Sequence, residues 1–271
     1  MSKTLVVTSS KGGVGKTTST AALGAALAQQ GHKVAVVDFD VGLRNLDLVM
    51  GAERRVVYDL INVAQGDAKL HQALIRDKRL ENLYLLPASQ TRDKDALTEE
   101  GVQKVIGELR EKFDWIVCDS PAGIERGATL AMRFADVAVV IANPEVSSVR
   151  DSDRIIGLLD AKTERAEKGE KVDKFLLLTR YDPGRAARGE MLSVEDVLEI
   201  LSIPLIGIVP ESEEVLRASN VGAPIILHNA MSAAACAYSE AAKRLCGERT
   251  PVTIPSEKKG LFVRLFGRRS A

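Results

Sequence analysis

The segment from Val6 to Thr18 constrains the fold most, because it joins an apolar strand to a predicted helix through a glycine-rich turn. Its sequence is VVTSSKGGVGKTT. Glycines let backbone N–H groups turn toward one anion, and a helix beginning near Lys16 adds positive potential at its N-terminus. Lys16 supplies a mobile charge and the Thr17 hydroxyl can ligate Mg²⁺. The pattern predicts a polyphosphate-binding loop; the alternative is a structural glycine turn.

Short apolar runs rich in Val, Leu and Ile recur along the chain, with helix-like stretches between them. They occupy residues 5–7, 34–37, 83–86, 115–118, 137–141, 175–178 and 205–209. Continuous apolar runs indicate strands covered on both faces. Helical patterns span residues 17–30, 98–112 and 194–201. This alternation predicts an α/β fold, a doubly wound and mostly parallel sheet flanked by helices, in one domain over residues 1–250.

Two of the predicted strands end in carboxylates. Asp38 and Asp40 follow the second strand, and Asp119 ends the run WIVCD. Ligands bind at the carboxyl edge of parallel strands, where a strand-terminal Asp holds Mg²⁺ or its water shell. Phosphoryl transfer needs charge neutralisation and an in-line water more than covalent chemistry, so these groups suffice for slow hydrolysis. The alternative for each of them, and for Asp47, is a capping or solvated loop residue.

Polar residues also follow two later strands at the same predicted edge. Thr179 and Arg180 follow one strand, and Pro210 and Glu211 end the next. We expect Arg180, Pro210 and Glu211 to lie beside a nucleotide base. An ordinary strand-to-helix turn is the alternative. Cys118 lies inside an apolar run and is expected in the core.

The end of the chain differs in composition from the rest. Residues 251–259 are predicted to be a tether, and residues 260–271 an amphipathic helix. Five basic residues against one glutamate give residues 256–271 a net charge of +4. Such a segment suits an anionic membrane surface, although docking on the protein's own core or in a protein groove is the alternative. The predicted membrane residues are Leu261, Phe262, Leu265 and Phe266 on the apolar face, with Lys258, Lys259 and Arg264.

One such tail is expected to bind a membrane only weakly. Burying a large apolar side chain returns roughly 1.5–3 kcal/mol, whereas ordering each residue costs roughly 1–2 kcal/mol. Two tails on a dimer make the second insertion intramolecular, which raises avidity by about 10²–10⁴. Dimerisation would therefore control membrane binding.

Residues 11–18, KGGVGKTT, resemble the deviant Walker A motif of the MinD/ParA family of dimeric ATPases. The resemblance implies a P-loop NTPase fold of the SIMIBI type. It also implies that the extra lysine, Lys11, reaches the partner subunit's nucleotide. Position 10 departs from the strict pattern, because serine replaces glycine there; serine narrows the allowed backbone angles and adds a side chain beside the phosphates. The implied nucleotide contacts are Ser10, Lys11, Gly12, Gly13, Val14, Gly15, Lys16, Thr17 and Thr18.

The resemblance also implies roles and partners. Lys11, Lys16 and Asp40 would be catalytic, with Asp40 positioning the attacking water, and Thr17 and Asp119 would hold Mg²⁺, Asp119 through water. The basic tail and the stretch DFDVGLRNLD are most similar to family members that place the division septum. Such members are ATP-dependent homodimers on the cytoplasmic face of the inner membrane. They recruit the division inhibitor MinC and are stimulated by MinE.

Other functions remain as alternatives. If the protein were a DNA-partitioning ATPase of the same family, its folded domain should be basic. The whole chain has zero net charge and the tail carries +4, so the remaining residues carry −4. We therefore expect no nucleic acid partner. An iron–sulfur protein needs cysteines that lie close enough to bind one cluster. This chain has three cysteines, and no two of them form a C-x-x-C motif. A flagellar-placement ATPase stays open, whereas a purely structural binding module does not explain Lys16, Thr17, Asp40 and Asp119 together. No apolar run is long enough to span a bilayer, and we expect a cytoplasmic protein.

Overall fold

A computed structural model describes residues 2–90, 92 and 94–256. Within these residues, eight strands form one sheet in the order β3-β4-β2-β5-β1-β6-β7-β8. All neighbouring strands are parallel except β3 and β4. The strands are β1 (Lys3–Thr8), β2 (Val34–Asp38), β3 (Ile75–Arg76), β4 (Leu83–Leu86), β5 (Trp115–Asp119), β6 (Val137–Ala142), β7 (Asp173–Tyr181) and β8 (Leu205–Pro210).

Helices connect the strands and cover both faces of the sheet, so the predicted fold class is confirmed. In the described part of the chain no helix is both long and apolar enough to cross a lipid bilayer. The helices are α1 (Lys16–Gln29), α2 (Leu46–Val49), α3 (Leu60–Gln65), α4 (Leu70–Ala73), α5 (Glu99–Arg110), α6 (Arg126–Arg133), α7 (Val146–Lys162), α8 (Glu164–Glu167), α9 (Pro183–Ala187), α10 (Val194–Leu201), α11 (Glu213–Asn220), α12 (Ile225–His228) and α13 (Ala233–Leu245).

The structure adds one strand and moves helix boundaries relative to the sequence pattern. Strand β3 pairs antiparallel to β4. It has only two residues, which is too short for a hydrophobic pattern in the sequence to predict it. Helix α5 begins at Glu99 because Thr98 is its N-cap: the Thr98 hydroxyl accepts a hydrogen bond from the Gly101 amide at 3.1 Å.

Strand register brings the predicted functional residues to one edge of the sheet. Asp119 of β5 lies opposite both Val7 of β1 and Asp38 of β2. The three strands are parallel, so their carboxyl ends meet beside the loop that connects β1 to α1.

Helix α1 lies in the core on one face of the sheet. Every residue from Ser19 to Ala28 is buried, and all of them except Leu23 and Leu27 have small side chains. Helix α13 packs against it, and the Tyr238 hydroxyl lies 2.9 Å from the Ser19 hydroxyl in the buried contact between the helices. This contact fixes the helix that follows the phosphate loop.

We expect Tyr238→Phe to lower the free energy of unfolding by about 1–3 kcal/mol, because the buried Ser19 hydroxyl would lose its partner. Urea denaturation monitored by circular dichroism measures the change. Tyr84→Phe is the control, because it deletes a hydroxyl from a half-buried ring that packs edge-to-face against Phe113. Equal losses in the two variants would contradict the role assigned to the Ser19–Tyr238 contact.

Candidate nucleotide-binding site

The loop between β1 and α1 has a backbone that only glycine adopts without strain at two positions. Gly13 has φ of 75° and Gly15 has φ of 96°, both in the left-handed region. A methyl group on Gly12, Gly13 or Gly15 would meet no other atom within 4 Å. The loop backbone therefore borders open space, as a cradle for a ligand requires.

The N-terminus of α1 opens onto this space. Gly15 is the N-cap, no side chain caps the helix, and the first turn carries no acidic residue. The first helical hydrogen bond runs from the Ser19 amide to the Gly15 carbonyl at 2.9 Å. The amides of residues 16–18 are thus the groups that a helix leaves without an intrahelical partner, and they suit the oxygens of a phosphate chain.

Ser10 does not have a positive φ, so the narrower backbone range of serine causes no strain at this position. Among the described residues, only Arg44, Arg180 and Ser202 have positive φ without being glycine. The Ser10 hydroxyl is buried and has no hydrogen-bond partner within the described structure.

The two lysines of the motif have different environments. Lys16 is buried, and its ammonium donates to the Lys11 carbonyl at 3.4 Å. Burial lowers the pKa of Lys16, although the charges of Asp119 and Asp40 oppose this shift. Lys11 is partly exposed, and its ammonium lies 3.6 Å from a carboxylate oxygen of Asp151 on α7.

Asp38 holds the segment that follows β2. Its carboxylate accepts hydrogen bonds from the Asp40 amide at 2.9 Å and from the Leu46 amide at 3.3 Å. The capping alternative therefore describes Asp38. Asp47 is also buried, and its carboxylate lies 2.7 Å from the Arg44 guanidinium. This ion pair lies within the same segment after β2.

Asp119 lies beneath the loop and α1. Its carboxylate accepts a hydrogen bond from the Thr20 hydroxyl at 3.0 Å, and the Thr17 hydroxyl also hydrogen-bonds to it. Burial raises the pKa of Asp119 to about 6, against the opposing effects of Thr17, Lys16 and Thr20. Burial, together with the charge of Asp119, raises the pKa of Asp38 well above its ordinary value. Asp119 thus lies between a second buried carboxyl group, Asp38, and the buried ammonium of Lys16.

A cleft of about 660 Å³ opens above these groups. A second pocket of about 300 Å³ adjoins it and shares Gly15, Thr18 and Arg180 with it. The predicted residues that line the cleft are Gly12, Gly13, Gly15, Lys16, Thr17, Thr18, Asp40 and Arg180, and Val14, Pro210 and Glu211 line the second pocket. Ser10, Lys11 and Asp119 line neither. The structure therefore places the predicted base residues, and all the predicted phosphate residues except Ser10 and Lys11, in two adjoining spaces.

Sequence reasoning missed two residues that help to hold the site together, Asn143 and Thr20. The Thr179 hydroxyl lies 2.7 Å from the Val14 carbonyl and 3.0 Å from the Asn143 side-chain oxygen, which connects the loop to β6 and β7. Nothing in the sequence marks Asn143. The Thr20 hydroxyl donates a hydrogen bond to Asp119. Thr20 lies one helical turn after Lys16 and therefore on the same face of α1, and this spacing is the only sequence signal that could have identified it.

The three cysteines do not add to the site. Cys118 is buried in β5, and burial raises the pKa of its thiol to about 12. Cys236 and Cys246 are exposed on and just after α13. The seven predicted membrane residues lie outside the described residues.

We expect the nucleotide-free protein to lose stability as pH rises from about 4 to about 6. The folded-state pKa of Asp119 is raised to about 6, so this carboxyl group is more protonated in the folded protein than in the unfolded chain in this window. The contribution of Asp119 to the free energy of unfolding therefore falls as pH rises. Asp119→Asn removes this contribution, and urea denaturation at several pH values should show a shallower dependence.

Asp153→Asn is the control for this prediction, because it removes an exposed carboxylate from α7. It should retain the wild-type pH dependence. If the free energy of unfolding of Asp119→Asn depended on pH as steeply as that of the wild type, the raised pKa of Asp119 would be contradicted.

Comparison with known proteins agrees with this geometry. Residues 5–225 match the CobQ/CobB/MinD/ParA nucleotide binding domain. The septum site-determining protein MinD of Escherichia coli K12 is 63% identical over 270 residues, covering 98% of this chain and 100% of that protein. A MinC:MinD cell division complex from Aquifex aeolicus contains a chain with 42% identity and a TM-score of 0.84, covering 94% of this chain and 100% of that one. MinD from Pyrococcus horikoshii OT3, complexed with Mg-ADP, has 32% identity and a TM-score of 0.80, covering 90% and 96%.

The likeness to a ParA-family ATPase of Chlorobium tepidum, at 17% identity, shows the fold alone. Identity to the septum site-determining relatives is far higher and extends over their full length. The chain belongs to the MinD family of septum site-determining, nucleotide-binding proteins.

Proposed function

We propose that this protein binds ATP with Mg²⁺, hydrolyses it to ADP and phosphate, and uses the bound triphosphate to control membrane association. The observation that carries the proposal is the convergence of Lys16, Thr17, Asp40 and Asp119 at one loop beside a nucleotide-sized cleft. The relative from Pyrococcus horikoshii, complexed with Mg-ADP, supports the nature of the ligand.

Each group has a distinct part in this reaction. The amides of residues 16–18 and the Lys16 ammonium bind the phosphate oxygens and offset their charge. The Thr17 hydroxyl and the Asp119 carboxylate would hold Mg²⁺, with Asp119 acting through water because it does not line the cleft. Mg²⁺, when bound, neutralises charge that develops on the transferred phosphoryl group. Asp40 lines the cleft and orients the attacking water.

Lys11 supports dimerisation as the second step. It lies at the loop but outside the cleft, and its partner Asp151 belongs to the same chain. An ion pair between partly exposed groups contributes about 0–1 kcal/mol, so leaving it costs little. We propose that Lys11 exchanges this contact for the phosphates bound to a second copy of the chain.

Membrane binding follows from dimerisation through the tail. The dimer presents two copies of residues 260–271 to the cytoplasmic face of the inner membrane, where their basic and apolar residues favour anionic lipid. The structure of a MinC:MinD complex from Aquifex aeolicus supports MinC as the recruited partner. Stimulation by MinE completes the proposed cycle.

A co-sedimentation experiment with anionic liposomes tests this coupling. We expect the full-length protein to sediment with the vesicles in Mg-ATP at least about tenfold more than in ADP or without nucleotide, because two tails bind with greater avidity than one. A variant ending at Pro255 should stay in the supernatant in all three conditions, and vesicles of neutral lipid are the control.

Equal sedimentation of the full-length protein in all three nucleotide conditions would contradict the switch. ATP-dependent sedimentation of the variant ending at Pro255 would contradict the role of the tail.

A further inference from the structure

The C-terminal ends of α2 and α11 touch through their backbones. Gly51 follows α2 and Gly222 follows α11, with φ of 64° and 65°. A methyl group on Gly51 would lie 2.5 Å from the Gly222 carbonyl oxygen, and one on Gly222 would lie 2.7 Å from the Gly51 Cα. Glycine is therefore required at both positions by conformation and by space.

Arg79 joins the same two helix ends. Its guanidinium donates from Nη2 to the Met50 carbonyl at 2.9 Å and from Nη1 to the Gly222 carbonyl at 3.1 Å. Met50 is the C-cap of α2 and Gly222 lies two residues beyond the end of α11, so one guanidinium that binds both carbonyls holds the two helix ends together.

Asp77 fixes the guanidinium in this position. Its carboxylate accepts from Arg79 Nη2 at 2.8 Å and from Nε at 3.2 Å, and it also accepts from the amides of Arg79 and Leu80. The Asp77 side chain is 2% exposed. Although burial alone would raise the pKa of Asp77, its hydrogen bonds with Arg79 outweigh this effect and the pKa is lowered.

The two helices joined here form different walls of the candidate site. Leu48 and Val49 of α2 line the 660 Å³ cleft, and α2 directly follows the segment held by Asp38. Leu216 and Ser219 of α11 line both the cleft and the adjoining 300 Å³ pocket. The contact at Arg79 therefore sets the spacing between these walls, at a distance from the phosphate loop itself.

We propose that Arg79 is a positioning residue for the nucleoside part of the bound nucleotide, because it holds α2 and α11 at a fixed separation. The inference rests on the proposed function in one respect, that the cleft binds a nucleotide. It predicts that loss of Arg79 weakens the binding of a nucleoside diphosphate while the phosphate loop keeps its affinity for pyrophosphate.

The test compares ADP with pyrophosphate by isothermal titration calorimetry, each with Mg²⁺. Arg79→Met should weaken ADP binding about tenfold and change pyrophosphate binding by less than about twofold. Arg79→Lys keeps the charge but has no planar fork to bind two carbonyls at once, so it should weaken ADP binding about threefold.

Arg110→Met is the matched control. Arg110 has a side-chain exposure of 35% against 36% for Arg79, and it also donates to a backbone carbonyl, that of Phe134, and to a carboxylate, that of Asp136. It lies by the amino ends of the strands, where its guanidinium also donates to Thr4. Its loss should destabilise the fold, measured by urea denaturation, without changing the ratio of ADP to pyrophosphate affinity.

Unchanged ADP affinity in Arg79→Met, or parallel losses of ADP and pyrophosphate affinity, would overturn the positioning role. If Arg79→Met does not fold, Arg79→Lys carries the test, and wild-type ADP affinity in that variant overturns the inference. A wild-type protein that binds neither ADP nor pyrophosphate would instead overturn the proposed function.

Discussion

Burial of charge beneath the glycine loop is the constraint on which the site depends. Lys16, Asp38 and Asp119 are removed from water, and burial disfavours the charged form of each. The Lys16 ammonium favours the charged form of Asp119 but does not outweigh the effect of burial on its pKa. Hydrogen bonds from Thr17, Thr20 and the amides after Asp38 compensate for some of the remainder. A site with this balance is suited to a ligand that brings both a phosphate chain and a divalent cation.

The fold supplies rigid supports for this arrangement. Parallel register aligns Asp38 with Asp119, and the Ser19–Tyr238 contact fixes α1. The Thr179 hydroxyl connects the loop to the later strands. A different interaction holds α2 and α11, which line the cleft. The guanidinium of Arg79 binds a carbonyl at the end of each helix. In the proposed site, phosphate recognition and nucleoside recognition would therefore depend on separate parts of the structure.

Local sequence patterns predicted the elements that have strong local causes. Continuous apolar runs identified seven strands, and the glycine–lysine spacing located the loop. Contacts between distant segments were beyond reach, because no local pattern records that Asn143 meets Thr179 or that Arg79 meets Gly222. The left-handed backbone of Arg180 also has no sequence signal, since it arises where the pairing of β7 with β8 becomes irregular. The character of Asp38 as a cap depended on which amides lay near its carboxylate.

The central claim is that ATP held between two copies of the chain brings two weak membrane anchors together. Lys11→Ala tests it most directly, with analytical ultracentrifugation and vesicle binding measured on the same samples in Mg-ATP. We predict a variant that binds ATP, remains monomeric and loses vesicle binding at least about tenfold. Lys168→Ala, which removes an exposed lysine paired with Glu164, should behave as the wild type. A monomeric Lys11→Ala protein that binds vesicles as tightly as the wild type would contradict the claim.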